Sequence, residues 1–155
     1  MAIQHSQKRN KPEEDYNFEI GKSVVLKEGK DIDIYATGST VNSCLLVAKK
    51  LLEEGIHASV INMHTIKPID KSQIIKSCSN KKYIFSVEEH SIIGGLSSAI
   101  SEVISSQSTQ CIQIPIALPD QYDKSGPYLE LMEYFNLSSE KIFDKILMEI
   151  KNWII

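Results

Sequence analysis

The sequence predicts an α/β domain: about five mostly parallel strands in one sheet, with helices on both faces as a three-layer α/β/α sandwich. Three observations carry that prediction. Short apolar, β-branched runs alternate with helical stretches of roughly 10–15 residues, the pattern of βαβ units. The run Tyr83–Val87 ends abruptly in Glu88, Glu89 and His90, and Gly94-Gly95 then opens a helical stretch to about Ser105. At 155 residues the chain is one domain's worth of sequence and enough to bury a core.

Residues 1–17 are polar and lack periodicity, which predicts a tail or inter-domain linker ahead of a domain over 18–155. Ser23–Leu26 is the first strand, closed by the turn-like Glu28-Gly29-Lys30. Asp31–Thr37 sets Ile32 and Ile34 in an apolar run that stops at Gly38-Ser39-Thr40. From Val41 to Glu54, the residues Val41, Cys44, Leu45, Ala48, Leu51 and Leu52 share one helical face. Thr40 is expected to N-cap that helix and Gly55 to end it.

Ala58–Asn62 is the third strand, and His64–Pro68 connects it to a helix starting near Asp70. Asp70 and Gln73 have capping-box spacing. After the Tyr83–Ser105 unit come a strand over Cys111–Ala117 and a turn at Pro119-Asp120. A short helix over Tyr128–Phe135 and a last helix capped by Ser138 complete the domain. In that last helix Ile142, Phe143, Ile146, Leu147, Ile150 and Trp153 form an apolar stripe, read as core.

Composition narrows the function classes. The chain is 42% hydrophobic and 24% charged, with a net charge of −3 and no Lys/Arg-rich run, which argues against a nucleic-acid surface. No apolar stretch approaches the roughly 18–20 residues of a membrane span. Cys44, Cys78 and Cys111 are odd in number and far apart, so neither a disulfide framework nor a zinc site is indicated. They read as small apolar residues of a reducing, cytoplasmic protein. The four histidines show no metal-ligand spacing.

In open α/β sheets, ligands and partners sit at the carboxyl ends of the strands near the switch point. The loops available there are Thr37–Ser39, Met63–Lys67 and Glu88–Gly95. Gly94 and Gly95 allow a tight turn and close helix packing, and the N-terminus of the following helix could receive an anion. No G-x-G-x-x-G, Walker A or G-x-S-x-G motif is present. Glu88 and Glu89 are strand neighbours that point to opposite faces, so they are no paired-carboxylate site. The sequence therefore shows a binding edge without catalytic residues of its own.

Four segments, IDIYATGSTV, VINMHTIKPID, SVEEHSIIGGLSSAI and DQYDKSG, together resemble the C-terminal domain of transketolase-type thiamine diphosphate enzymes. The likeness runs from Phe18 to about Leu147. His64-Thr65-Ile66-Lys67-Pro68 and Glu88-Glu89-His90 are most similar to the C-terminal section of split transketolases. Ser97 departs from the family's Gly-Gly-Leu-Gly-Ser-Ala pattern, which weakens the expectation of very close helix packing there.

The resemblance implies a Rossmann-like sheet with Ser23–Leu26 antiparallel at one edge. It implies an enzyme transferring a two-carbon ketol unit between sugar phosphates, with thiamine diphosphate and Mg²⁺ held by pyrophosphate and pyrimidine domains outside this chain. Those domains, on the same or another subunit, are the implied partners, in a homodimer. The chain by itself would support that assembly and bind no metal. Glu88, Glu89, His90, Gly94, Gly95, His64 and Lys67 become the substrate-facing or interface residues. Arg9 resembles an arginine that contacts the sugar phosphate.

Two alternatives compete with the transketolase reading. One is a stand-alone α/β binding or dimerisation module. The other is the same domain of deoxyxylulose-phosphate synthase or of a 2-oxo-acid dehydrogenase beta subunit. For His90, the simpler expectation is a backbone hydrogen bond that shapes the corner before Gly94.

Overall fold

The computed structural model describes residues 18–121 and 125–152. Arg9, the rest of the amino-terminal stretch and Trp153 lie outside them. One sheet holds five strands among the described residues: β1 (Val24–Lys27), β2 (Ile32–Ala36), β3 (Ala58–Asn62), β4 (Tyr83–Ser91) and β5 (Ile112–Leu118). Their order is β1-β3-β2-β4-β5. β1 runs antiparallel at the edge, with Val24 opposite Asn62 and Val25 opposite Ile61. All other pairs are parallel.

The helices are α1 (Thr40–Glu53), α2 (Lys71–Asn80), α3 (Leu96–Ser105), α4 (Tyr128–Tyr134) and α5 (Ser139–Asn152). Alternation along β2 shows why there are three layers. Ile32, Ile34 and Ala36 face a core shared with α1 and α5, whereas Tyr35 faces a second core under α2 and α3. Every residue of β2 is buried, as a central parallel strand covered on both faces should be. In α5, Ile142 and Ile146 are fully buried and Phe143 and Ile150 pack against them, the stripe its periodicity predicts.

Gly55 ends α1 as anticipated, with a left-handed φ of 80°. Its N–H reaches the Leu52 carbonyl while the Ile56 N–H reaches that of Leu51, the paired bonds of a Schellman motif. Thr40 does not cap α1. It is the first helical residue, and its hydroxyl lies 2.8 Å from the Thr37 carbonyl and 3.0 Å from that of Val87. The side chain thus ties the start of α1 to the middle of β4 rather than to its own helix.

β4 also differs from expectation, because it continues through the polar residues to Ser91. Ser91 pairs with Leu118 beyond an irregularity in register, and the Ile92 N–H donates to the Leu118 carbonyl at 2.8 Å. Pairing with the end of β5 carries the strand past the point where apolar character stops. Gly29, in the β1–β2 turn, sits directly on β3: a Cβ there would lie 2.3 Å from the Ala58 carbonyl carbon and 2.4 Å from the Ser59 nitrogen. The Ser59 hydroxyl accepts the Gly29 N–H and donates to the Gly29 carbonyl, each at 3.0 Å.

Asp70 caps α2, accepting the Gln73 N–H at 3.1 Å. It also accepts the Ser72 hydroxyl at 2.6 Å, the Ser23 N–H at 2.9 Å and the Ser23 hydroxyl at 3.0 Å. Burial opposes its ionisation, but these hydrogen bonds from Ser72, Ser23 and Gln73 prevail and hold the carboxyl below its ordinary value. A lowered carboxyl stabilises the fold above its unfolded-state pKa, and that contribution is lost as pH falls through the folded one. Asp70→Ala is expected to cost about 1–2 kcal/mol near neutrality. In paired thermal melts the gap to wild type should close as pH drops below 3.8, the ordinary value. A gap that persists undiminished in acid would contradict an ionised cap.

Candidate functional site

From β2 the chain passes through α1 to β3 on one side, then crosses through α2 to β4 on the other. The carboxyl ends of β2 and β4 therefore flank the switch point, the position where open α/β sheets form a crevice. Ser39 follows β2 and Glu89 lies on β4, and the Ser39 hydroxyl donates to Glu89 Oε2 at 2.5 Å. The Tyr128 hydroxyl, from the start of α4, donates to the same oxygen at 3.0 Å. Burial raises the Tyr128 hydroxyl pKa and the Glu89 carboxylate adds to that, so the group remains a donor. Glu89 and His90 are both exposed.

Glu88 does the opposite. It is 1% exposed, and its two carboxylate oxygens accept the Leu96 N–H at 2.6 Å and the Ser97 N–H at 2.7 Å. These are the first two backbone donors of α3, so the carboxylate satisfies orphan N–H groups and meets the positive end of the helix dipole. The expectation that this N-terminus could receive an external anion is corrected: the protein's own carboxylate fills it. Gly95 makes room for it, since a Cβ there would sit 2.1 Å from Glu88 Oε2. Gly94 serves differently, through a φ of 82° with open space around its Cα.

Ser97, which departs from the family's glycine pattern, is buried and shares a hydrogen bond of 3.0 Å with the Ser86 hydroxyl of β4. Gln113 Nε2 on β5 completes the network, donating to the Ser86 hydroxyl and the Ser97 carbonyl. His90 Nδ1 lies 3.2 Å from the Ser91 carbonyl, the local contact of the simpler expectation.

His64 and Lys67 belong to the loop after β3, which is gripped by the segment leading into β1. His64 Nε2 contacts the Glu19 carbonyl at 3.1 Å, and its ring stacks 4.5 Å from Phe18. The Gly21 N–H donates to the Thr65 hydroxyl at 2.9 Å. Lys67 is exposed. The predicted residues thus divide into a buried unit of Glu88 with Gly95, an exposed edge of Glu89 and His90, and a separate clasped loop. Ser39 and Tyr128 were not singled out by sequence; only the position of Ser39 in a strand-terminal loop hinted at a role.

The family model for the C-terminal domain of transketolase matches residues 21–142. The chain belongs to the transketolase C-terminal domain family. Among relatives of this transketolase C-terminal domain, a Methanocaldococcus jannaschii protein provisionally named a transketolase C-terminal section is 42% identical over 139 residues, 90% of this chain and 43% of that protein. A 1-deoxy-D-xylulose-5-phosphate synthase of Dictyoglomus thermophilum is 37% identical over 135 residues, 87% of this chain and 22% of that enzyme. A solved split-gene transketolase, described as an inactive beta4 tetramer, superposes with a TM-score of 0.77 at 34% identity, covering 86% of this chain and 43% of that one. The chain spans less than half the length of these relatives.

Transketolase and deoxyxylulose-phosphate synthase family members use thiamine diphosphate, so the domain's fit to that group matters. The α3 N-terminus does not fit a diphosphate, because Glu88 already fills it and would repel a second anion there. Nor do the described residues bring three or more His, Cys, Asp or Glu side chains together as metal ligands. None of the described helices is long and apolar enough to cross a membrane.

Proposed function

We propose that this domain is the C-terminal part of a split transketolase-type enzyme of carbohydrate metabolism that transfers a two-carbon ketol unit between sugar phosphates. The observation that carries the reading is the 42% identity to a transketolase C-terminal section across 90% of the chain. In this reading the enzyme is cytoplasmic and dimeric. Thiamine diphosphate and Mg²⁺ are held by its pyrophosphate and pyrimidine domains, and this domain supports their assembly without catalysing alone. Glu89 and His90 on the exposed strand end, and His64 and Lys67 on the clasped loop, face those partners or the substrate channel. Glu88, Gly94 and Gly95 shape the edge from beneath, and Arg9 contacts the sugar phosphate.

The synthase relatives support a second reading, the same domain within a 1-deoxy-D-xylulose-5-phosphate synthase. Titration calorimetry of the chain with thiamine diphosphate and Mg²⁺ is expected to show no saturable heat. Micromolar binding would overturn the division of labour. Assaying the chain together with its thiamine-binding partner then separates the readings: ketol transfer between sugar phosphates supports the first, and formation of 1-deoxy-D-xylulose 5-phosphate supports the second.

A further inference from the structure

The amino-terminal edge of the sheet, opposite the proposed contact edge, holds two thiols with no part in that reading. Cys78 lies in the last turn of α2 and Cys111 immediately precedes β5. Both pack into the core beneath α2 and α3. Thr109 draws the two backbones together: its hydroxyl donates to the Cys78 carbonyl at 3.1 Å and accepts the Cys111 N–H at 3.1 Å. Beside Cys78 a depression of about 280 Å³ opens to solvent, walled by Ile75, Ser79, Thr109 and Gln110. Cys44, the third cysteine, is fully buried on the other face of the sheet.

We propose that Cys78 and Cys111 form a redox modification site, which a peroxide-class oxidant converts to an intramolecular disulfide joining the end of α2 to the start of β5. The Cys78 sulfur, nearer the depression, attacks one peroxide oxygen; the S–O bond forms, the O–O bond breaks, and the first water leaves. The Cys111 sulfur then attacks the resulting sulfenic acid; the S–S bond forms, the S–O bond breaks, and a second water leaves. The two thiol protons end in the two waters, and two electrons pass from sulfur to the peroxide.

The two side chains share one packed cluster and Thr109 ties their backbones together, so the pairing partner is at hand when the sulfenic acid forms. Burial, then the neighbouring cysteine and Asp33, push Cys111 up to about 12, and burial raises Cys78 as well. Because the thiolate is the nucleophile, the reaction is slow at neutral pH.

The test is hydrogen peroxide treatment of the full chain, followed by thiol counting and non-reducing peptide mapping. The expected result is a Cys78–Cys111 linked peptide, lighter than its reduced halves by about 2 Da. Free thiols should fall from three to one, leaving Cys44, and dithiothreitol should restore all three. Cys78→Ser and Cys111→Ser should each abolish the linked peptide. Mapping of the wild-type chain decides the matter even where a serine variant folds poorly. Retention of three free thiols, links between chains, or sulfinic acids in place of the bridge would each overturn the proposal.

Discussion

Gly95→Ala is expected to destabilise the domain by about 3 kcal/mol, far more than an alanine costs at an ordinary surface position. The backbone is not the obstacle, since Gly95 has an extended conformation that alanine adopts readily (φ −96°, ψ −152°). The obstacle is the Glu88 carboxylate, whose Oε2 occupies the space a Cβ needs. Driven off, Glu88 would leave the Leu96 and Ser97 N–H groups buried without acceptors and would itself be a buried charge without its donors.

A double-mutant cycle exposes this cause. Glu88→Ala should be similarly damaging alone, yet in that background Gly95→Ala should cost much less, giving a coupling energy above about 1 kcal/mol. Denaturant titrations of the four proteins measure it. Additive costs would show that Gly95 matters for a reason other than its carboxylate neighbour.

Gly29→Ala should be at least as harmful, at about 3 kcal/mol or more, with a fall in Tm of roughly 10 °C. Here the blocking atoms are backbone: the Ala58 carbonyl carbon, the Ser59 nitrogen and, at 2.6 Å, the His57 carbonyl oxygen. No rotamer change relieves that contact. The β1–β2 turn would have to lift from β3, breaking its bonds with Ser59 and the 2.7 Å bond from Lys81 Nζ to the Gly29 carbonyl. Calorimetric melting checks it, and a Tm within a degree or two of wild type would show that the turn does not rest on β3.

The five strands were legible because each apolar run is bounded by turn residues, and α1 and α5 because their buried positions recur every three to four residues. The antiparallel direction of β1 came from family resemblance; a four-residue strand states no direction by itself. Local pattern misled at the end of β4. Glu88 looked like the start of a polar turn because its acceptor role depends on a helix eight residues later in the chain. Thr40 was misread for a similar reason, since its distant contact is 47 residues away. The Ser39–Glu89–Tyr128 cluster joins three separate elements through single hydroxyls, which leave no periodicity to read. Gly94 and Gly95 are identical in sequence but answer different demands, one conformational and one steric.

Glu88 and Glu89 place two design freedoms one residue apart. The inward carboxylate is anchored by backbone donors, so any replacement there is judged by folding. The outward one is exposed and held only by the Ser39 and Tyr128 hydroxyls, so under the proposed function it is judged by whatever docks against the sheet edge. Rewriting positions 89 and 90 would therefore release the Ser39 and Tyr128 hydroxyls but leave the Glu88 anchorage of α3 in place.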